Sequence, residues 1–127
     1  SHRNVKLNIT AGYTTQQTKK IIKNLNKNTK SIISIFAGRM ADVGKDPVPI
    51  FKECVKLSKR YNNIQILWAS TREPYNFVQA KQTGCNIITM PEKVIEKVLK
   101  FGKSFQSLTI DTVKKFLLDS KESHFKL

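Results

Sequence analysis

The sequence predicts an α/β protein of parallel βα units, equivalent to about half of a TIM (βα)8 barrel, with four strands and an additional C-terminal helix. Three observations support this fold class. Short β-branched runs alternate with longer amphipathic stretches, which is typical of strands that are each followed by a helix. The strand-like runs are largely apolar, as expected for a parallel sheet. Four such units fit into 127 residues, whereas a complete barrel usually takes about 250.

The first two units begin with predicted strands at residues 5–10 and 31–36. After the first strand, Thr14 is placed to cap a helix and Gln17 to complete a capping box. After the second strand, residues 37–47 contain two glycines and one arginine and are predicted to form a loop. Loops of that length are often functional.

The remaining elements continue the same alternation. Prolines stand in the first turns of two predicted helices, where the missing amide hydrogen is not needed, and Gly84 stands where a third helix should end. In chain order, we predict helix 48–61, strand 64–69, helix 74–82, strand 86–90, a helix from 91 to about 102, and an amphipathic helix over 109–121.

A four-stranded doubly wound sheet would fit the same count of elements. That fold usually opens with a glycine-rich phosphate loop after its first strand. Residues 10–13 occupy that place with the sequence Thr-Ala-Gly-Tyr, so the half-barrel is favoured.

The composition limits the possible classes of protein. Hydrophobic residues make up 39% of the chain, yet no apolar run reaches the roughly 18 residues of a transmembrane helix. We therefore expect a soluble cytoplasmic protein without a membrane partner. Cys54 and Cys85 form no Cys-x-x-Cys pair, so they are interpreted as buried thiols and no metal site is expected. The net charge of +14 makes anionic partners worth considering.

Polar residues at three successive strand ends are the candidates for a functional site. The carboxyl ends of parallel strands are where α/β proteins build their sites. An arginine follows two of these ends, and its guanidinium fork matches the oxygens of a phosphate. Any one of these residues alone could be a turn former or a solvated side chain, but their repetition favours a site. The candidates are Asn8, Thr10, Ser34, Arg39, Ser70 and Arg72.

Four segments containing these residues resemble successive strand motifs of the transaldolases. They are residues 7–10, 33–42, 67–72 and 84–91, and the most specific parts are Phe-Ala-Gly-Arg and Ala-Ser-x-Arg. Transaldolases are (βα)8 barrels that move a dihydroxyacetone unit from a ketose phosphate to an aldose phosphate through a lysine Schiff base. They use no metal or organic cofactor. The resemblance implies that residues 1–127 form a single unit, the second half of such a barrel with βα units five to eight.

The resemblance also implies a role for each candidate. Asn8 would contact the dihydroxyacetone hydroxyls or the imine region, and Thr10 would hold the water used in proton transfer. Ser34 would bind a substrate hydroxyl. Phe36 belongs to the substrate-binding region, where the related fructose-6-phosphate aldolases have a tyrosine, so the chain resembles the transferases. The implied phosphate-binding residues are Arg39, Ser70 and Arg72.

The sequence also departs from the family pattern. Ile35 stands where proline is usual, and residues 71–73 replace a more common aromatic-Arg-Asn, which leaves the acceptor sugar open. The family's Schiff-base lysine lies on the strand before the first one here, so we expect this chain to supply the phosphate-binding half without that lysine. Lys6 is not expected to replace it. Its side chain is on the same strand face as those of Asn8 and Thr10, but at the opposite, amino-terminal end of the strand. Tyr13 and Trp68 are expected to be packing residues, although Trp68, on an inward strand face, could border a ligand.

Two other interpretations remain open. A non-catalytic half-barrel could bind phosphosugars and associate with itself or with the missing half, because an open sheet has free edges. A basic nucleic-acid-binding module is the second, since lysines cluster at residues 19–30 and 114–115. No recognition motif or row of stacking aromatics accompanies those lysines, so a sugar-phosphate substrate is the expected partner.

Overall fold

The structure is a computed structural model that describes residues 6–102, 104–106 and 110. Its described strands form one four-stranded parallel sheet. The predicted helix at 109–121 lies outside the described residues except for position 110. In chain order, the elements are β1 (Lys6–Gly12), α1 (Thr15–Lys23), β2 (Lys30–Phe36), α2 (Ala37–Asp42), α3 (Val48–Ser58), β3 (Ile64–Ala69), α4 (Tyr75–Thr83), β4 (Ile87–Ile88) and α5 (Glu92–Val98).

The strand order distinguishes the two folds that the sequence left open. The order is β1-β2-β3-β4, so each strand pairs with the next one along the chain. A doubly wound sheet instead reverses direction at a switch point, where its ligand binds. Sequential parallel pairing without a reversal is the arrangement within a (βα)8 barrel, and it confirms the predicted α/β class.

The hydrophobic core lies between the sheet and its helices. Alternate residues of β2 and β3 face the helices, and Ile33, Ile66 and Trp68 have no exposed surface. The rings of Trp68 and Phe51 of α3 are 4.4 Å apart between centroids. Trp68 is therefore a packing residue on the helix-facing side, and its expected place on the inward face of the sheet is wrong. It also lines a cleft beside α2, so the suggestion that it could border a ligand stays a prediction.

Two predicted helix ends are confirmed, one by hydrogen bonds and one by its backbone conformation. The Gln17 amide donates to Thr14 Oγ1 at 3.1 Å, and the Thr14 amide donates to Gln17 Oε1 at 3.0 Å. These two bonds form the predicted capping box. Gly84 ends α4 with φ of 82°, a left-handed conformation that glycine adopts without steric cost.

The segment after β2 differs from its prediction. Residues 37–47 were expected to be a loop, but the first six form α2. Alanine, arginine and methionine are good helix formers, and Ala37 and Met40 are spaced to bury one face of this short helix against the core. The glycines in the segment concealed this pattern in the sequence.

The fourth strand is shorter than predicted, and side chains replace part of its backbone ladder. The Asn86 and Thr89 amides still donate to the Ile66 and Trp68 carbonyls, both at 3.1 Å. Asn86 Oδ1 accepts the Ile66 amide at 2.9 Å, in place of a backbone carbonyl. Beyond Ile88, the Thr89 carbonyl accepts the Thr71 hydroxyl at 2.6 Å. Helices α3 and α5 also end a few residues earlier than predicted, at Ser58 and Val98.

Both cysteines have free thiols, Cys54 buried and Cys85 partly buried. Desolvation raises the pKa of each thiol, and this effect outweighs the hydrogen bonds that favour the thiolate. The interpretation as a buried thiol is confirmed for Cys54, whereas Cys85 is only partly buried. No helix in the described part of the chain is long and apolar enough to cross a membrane.

We predict that Phe51→Ala lowers the free energy of unfolding by about 3–5 kcal/mol, because it leaves a cavity against Trp68. Urea unfolding followed by the fluorescence of Trp68, the single tryptophan, measures this change. The control is Lys52→Ala, at an exposed position on the same helix, for which a change of no more than about 0.5 kcal/mol is expected. Equal effects of the two substitutions would contradict the placement of the core.

Candidate functional site

Asn8, Thr10 and Ser34 come together on the sheet face opposite the helices. The Ser34 hydroxyl donates to Asn8 Oδ1 at 2.8 Å across the β1–β2 pair. Thr10 is the register partner of Ser34. Ser34 is 7% exposed, whereas Asn8 and Thr10 are open to solvent. The predicted parity of these three residues is confirmed, and their polar groups line one surface near the carboxyl end of the sheet.

Phe36 and Arg39 form the next group, where β2 passes into α2. The guanidinium carbon of Arg39 lies 5.0 Å from the centre of the Phe36 ring, within cation–π range. Arg39 Nη1 also donates to the Tyr13 hydroxyl at 3.3 Å, and the Tyr13 and Phe36 rings are 6.1 Å apart. Tyr13 therefore contacts Phe36 and accepts a hydrogen bond from Arg39, but it is 38% exposed and is not one of the core residues.

Arg72 is paired with Asp42, which the sequence interpretation did not identify as a site residue. Arg72 Nη2 lies 2.9 Å from Asp42 Oδ2, and Nε lies 3.5 Å from Oδ1. The two side chains are 51% and 54% exposed. Arg39 and Asp42 are three residues apart, which puts them on one side of a helix. That spacing would have been informative only if residues 37–42 had been predicted to be helical.

The positive charges near Asp42 favour its ionised form. The hydrogen bond from Arg72, together with the positive charges of Arg72 and Arg39, lowers the pKa of Asp42 below its usual 3.8, against a smaller effect of desolvation. The same pair raises the pKa of Arg72. Asp42 is therefore a carboxylate at neutral pH, positioned where both arginines act on it.

Ser70 directly follows β3, and its backbone lies against Gly38 of α2. Its φ is 59°, in the left-handed region that side chains rarely adopt. A Cβ at position 38 would lie 1.9 Å from the Ser70 carbonyl oxygen and 3.0 Å from Arg72 Cγ. Only glycine allows α2 to approach this closely, so the contact fixes the turn of Ser70 and Arg72 relative to α2.

The turn after Ser70 is fixed from its other side by Asn76. Asn76 Oδ1 accepts the backbone amides of Arg72 and Glu73 at 2.9 and 3.0 Å. Arg72 and Asp42 line an open cleft of about 460 Å³ between α2 and α4. Arg39 and Ser70 are not among the residues that line this cleft. The structure thus brings all three phosphate-site candidates to α2 but does not place them on one cavity wall.

The arrangement is suited to an anionic ligand. Two guanidinium groups and one carboxylate give the Arg39–Asp42–Arg72 cluster a formal charge of +1. The polar groups of Asn8 and Ser34 lie on the same end of the sheet and supply hydrogen bonds for hydroxyl groups. Within the described ranges, no three His, Cys, Asp or Glu side chains are grouped so that they could hold a metal ion.

Comparison with known proteins gives a consistent result. The sequence model of the transaldolase/fructose-6-phosphate aldolase family matches residues 1–127. The chain is 34% identical over 89 residues to a probable transaldolase of Caldicellulosiruptor saccharolyticus, covering 68% of this chain and 39% of that protein. It is 36% identical over 91 residues to a probable transaldolase of Roseiflexus castenholzii, covering 71% and 40%. The chain therefore spans about two fifths of the length of these relatives.

We predict that Gly38→Ala destabilises the protein, although alanine in a helix is ordinarily better than glycine by about 0.5–1 kcal/mol. The added methyl group meets the Ser70 carbonyl, and overpacking of this kind costs about 1–3 kcal/mol. Chemical denaturation measures the difference. The matched variant is Ala41→Gly, at an exposed position of α2, for which a loss of about 1 kcal/mol is expected. A gain in stability from Gly38→Ala would show that α2 is not in contact with Ser70.

Proposed function

This chain belongs to the transaldolase/fructose-6-phosphate aldolase family, and from that premise we propose that it forms the phosphate-binding part of a transaldolase-like transferase. The proposed reaction moves a dihydroxyacetone unit from a ketose phosphate to an aldose phosphate through a lysine Schiff base, in the cytoplasmic pentose phosphate pathway. The observation that supports it best is that Arg72 pairs with Asp42, while the positive charge of Arg39 acts on the same carboxylate. No metal or organic cofactor takes part in this proposal.

The proposed phosphate-binding residues are Arg39, Ser70 and Arg72. A guanidinium group presents donors in a fork that matches phosphate oxygens bidentately. Asp42 takes the Nε–Nη2 edge of Arg72, which leaves the Nη1–Nη2 edge for an anion. Arg39 is oriented by Phe36 and Tyr13. Charged hydrogen bonds of this kind would position the sugar phosphate for attack on its carbonyl carbon.

The proposed contacts to the sugar lie on β1 and β2. Since Asn8 Oδ1 accepts from Ser34, the Asn8 amide nitrogen is directed to donate to a dihydroxyacetone hydroxyl or to the imine region. Thr10, the register partner of Ser34, would hold the water that carries protons. Ser34 would bind a substrate hydroxyl, and Phe36 would form an apolar border of the substrate site.

We place the Schiff-base lysine outside these 127 residues. In the family pattern it belongs to the strand that precedes the one equivalent to β1. The relatives named above are about two and a half times as long as the matched region, which leaves room for the other strands. A complete site would then form when this half-barrel is joined to that segment.

Self-association without catalysis is the second candidate function. Strand β1 stands at one end of the described strand order, so its outer edge has unpaired backbone groups. Leu7 on this strand is 42% exposed. A dimer of half-barrels, or pairing with the missing half, would cover both the edge and the open sheet face.

We predict that Arg72→Ala weakens binding of fructose 6-phosphate to this chain by roughly tenfold to a hundredfold, the range expected for loss of charged hydrogen bonds. Isothermal titration calorimetry measures the dissociation constant. In turnover assays of a complete enzyme, KM should rise far more for sugar phosphates than for their non-phosphorylated analogues. The control is Arg60→Ala, an exposed arginine just beyond α3 with the same change in charge. Equal weakening by both variants would remove Arg72 from the phosphate site.

We also predict that sodium borohydride in the presence of fructose 6-phosphate leaves the mass of this folded chain unchanged. Reduction converts any Schiff base into a permanent adduct, and in our proposal the reactive lysine is supplied by another segment. Intact mass spectrometry is the measurement, with a full-length transaldolase as the positive control. An adduct mapped to one lysine of this chain would show that it contains its own nucleophile.

A further inference from the structure

We propose that Asp42 is a specificity-determining residue, a built-in counter-ion that limits how tightly Arg72 and Arg39 hold a doubly charged phosphate. This inference rests on the proposed phosphate site and adds to it a carboxylate that opposes the ligand. The usual expectation for a residue paired with a binding arginine is the reverse, namely that it improves binding by orienting the guanidinium group. The geometry and the magnitude of the charges decide between these two effects.

Asp42 engages Arg72 by one edge only. A guanidinium group has five N–H donors, and Asp42 accepts from Nη2 at 2.9 Å and from Nε at 3.5 Å. Among the residues that the structure describes, none accepts from Nη1. A phosphate on the Nη1–Nη2 edge would therefore share the same guanidinium with Asp42 and lie close to its negative charge.

The backbone of Asp42 is fixed in this position. Asp42 is the last residue of α2, and α2 is held against the Ser70 carbonyl by the close contact at Gly38. The turn that bears Arg72 is fixed in turn by Asn76. Moving the carboxylate away from the ligand would require a change of its own rotamer and loss of the ion pair.

The orienting effect of Asp42 should be small. The two side chains of the pair are 51% and 54% exposed, and solvent-exposed ion pairs hold their partners only weakly. Asn76 and Gly38 already fix the backbone on both sides of the pair. Loss of Asp42 would therefore cost Arg72 little of its positioning.

The repulsive effect is larger. Carboxylate and phosphate on adjacent edges of one guanidinium are about 7 Å apart, and a single charge opposing a double charge at that distance changes affinity by roughly twofold to tenfold. The larger value applies at low salt. Repulsion therefore exceeds orientation, and Asp42 should weaken phosphate binding overall.

This balance has a consequence for selectivity. The repulsion scales with the charge of the ligand, so it affects a phosphate dianion about twice as strongly, in free energy, as a monoanion. Inorganic phosphate gains nothing from the sugar contacts of Asn8 and Ser34 and would be held weakly. A sugar phosphate keeps those contacts, so the site distinguishes ligands by their sugar portion and releases its product.

The test compares Asp42→Asn with Asp46→Asn in the 127-residue chain. Both substitutions remove one negative charge from the cleft, because Asp46 lines it as Asp42 does. Asp46 Oδ1 accepts a hydrogen bond from the Val48 amide at 3.0 Å, and the side-chain oxygen of asparagine can accept the same bond. In the described part of the chain, Asp46 forms no ion pair with an arginine. Isothermal titration with inorganic phosphate, at a pH above about 7 where the dianion predominates, gives the dissociation constants at low and at physiological ionic strength.

We expect Asp42→Asn to tighten phosphate binding by roughly twofold to tenfold, with the larger effect at low salt, and Asp46→Asn to have a clearly smaller effect. The gain should shrink in an Arg72→Ala background, because the shared guanidinium is then absent. Circular dichroism confirms that each variant is folded.

Three outcomes would overturn the inference. Weaker binding by Asp42→Asn would show that Asp42 orients Arg72 instead. Equal gains from Asp42→Asn and Asp46→Asn would show that the charge of the cleft, and not the pairing of Asp42 with Arg72, sets the affinity. Failure of both the unmodified chain and Asp42→Asn to bind phosphate would refute the proposed phosphate site itself, whereas in the first two outcomes the unmodified chain still binds and only the role of Asp42 is rejected.

Discussion

The contact between Gly38 and the Ser70 carbonyl is the constraint on which the arrangement of the candidate site depends. A Cβ at position 38 would be 1.9 Å from that oxygen, so any other residue would push α2 away from the end of β3. Because Arg39 and Asp42 belong to α2 and Arg72 follows Ser70, this one approach determines how the two arginines lie relative to the carboxylate. The absence of a side chain at Gly38 thus determines where these three charged residues lie.

The alternation of side chains along β2 puts the hydrophobic core on one face of the sheet and the candidate site on the other. Ile33 and Ile35 are buried against the helices, while Ser34 between them meets Asn8 on the other face. The apolar face, with Phe51 packed on Trp68, provides the burial that stabilises the fold. The polar face is therefore free to expose amide and hydroxyl groups that would weaken a core, and site residues can occupy strand positions that contribute little to folding.

Sequence periodicity predicted the parts of the structure that follow from local rules. Strand alternation placed Asn8 and Ser34 on one face, and the capping box placed the start of α1. The helix at 37–42 was missed because a glycine within it reads as a loop signal, although that glycine is required by a contact with the distant Ser70. Asp42 was also missed, because its partner Arg72 lies 30 residues further along the chain. Tertiary contacts, which local patterns do not encode, account for both errors.

The net charge of the chain bears on how such a site would work. At +14, the molecule attracts phosphates of every kind, and this long-range attraction does not distinguish a sugar phosphate from an inorganic one. Discrimination must therefore come from short-range groups. In the proposed site, Asn8 and Ser34 favour the sugar, and Asp42 opposes the charge that all phosphates share. The basic surface would then speed the binding of anions, and the carboxylate of Asp42 would speed their release. The two effects are complementary, because fast binding is useful to a transferase only when its product also leaves.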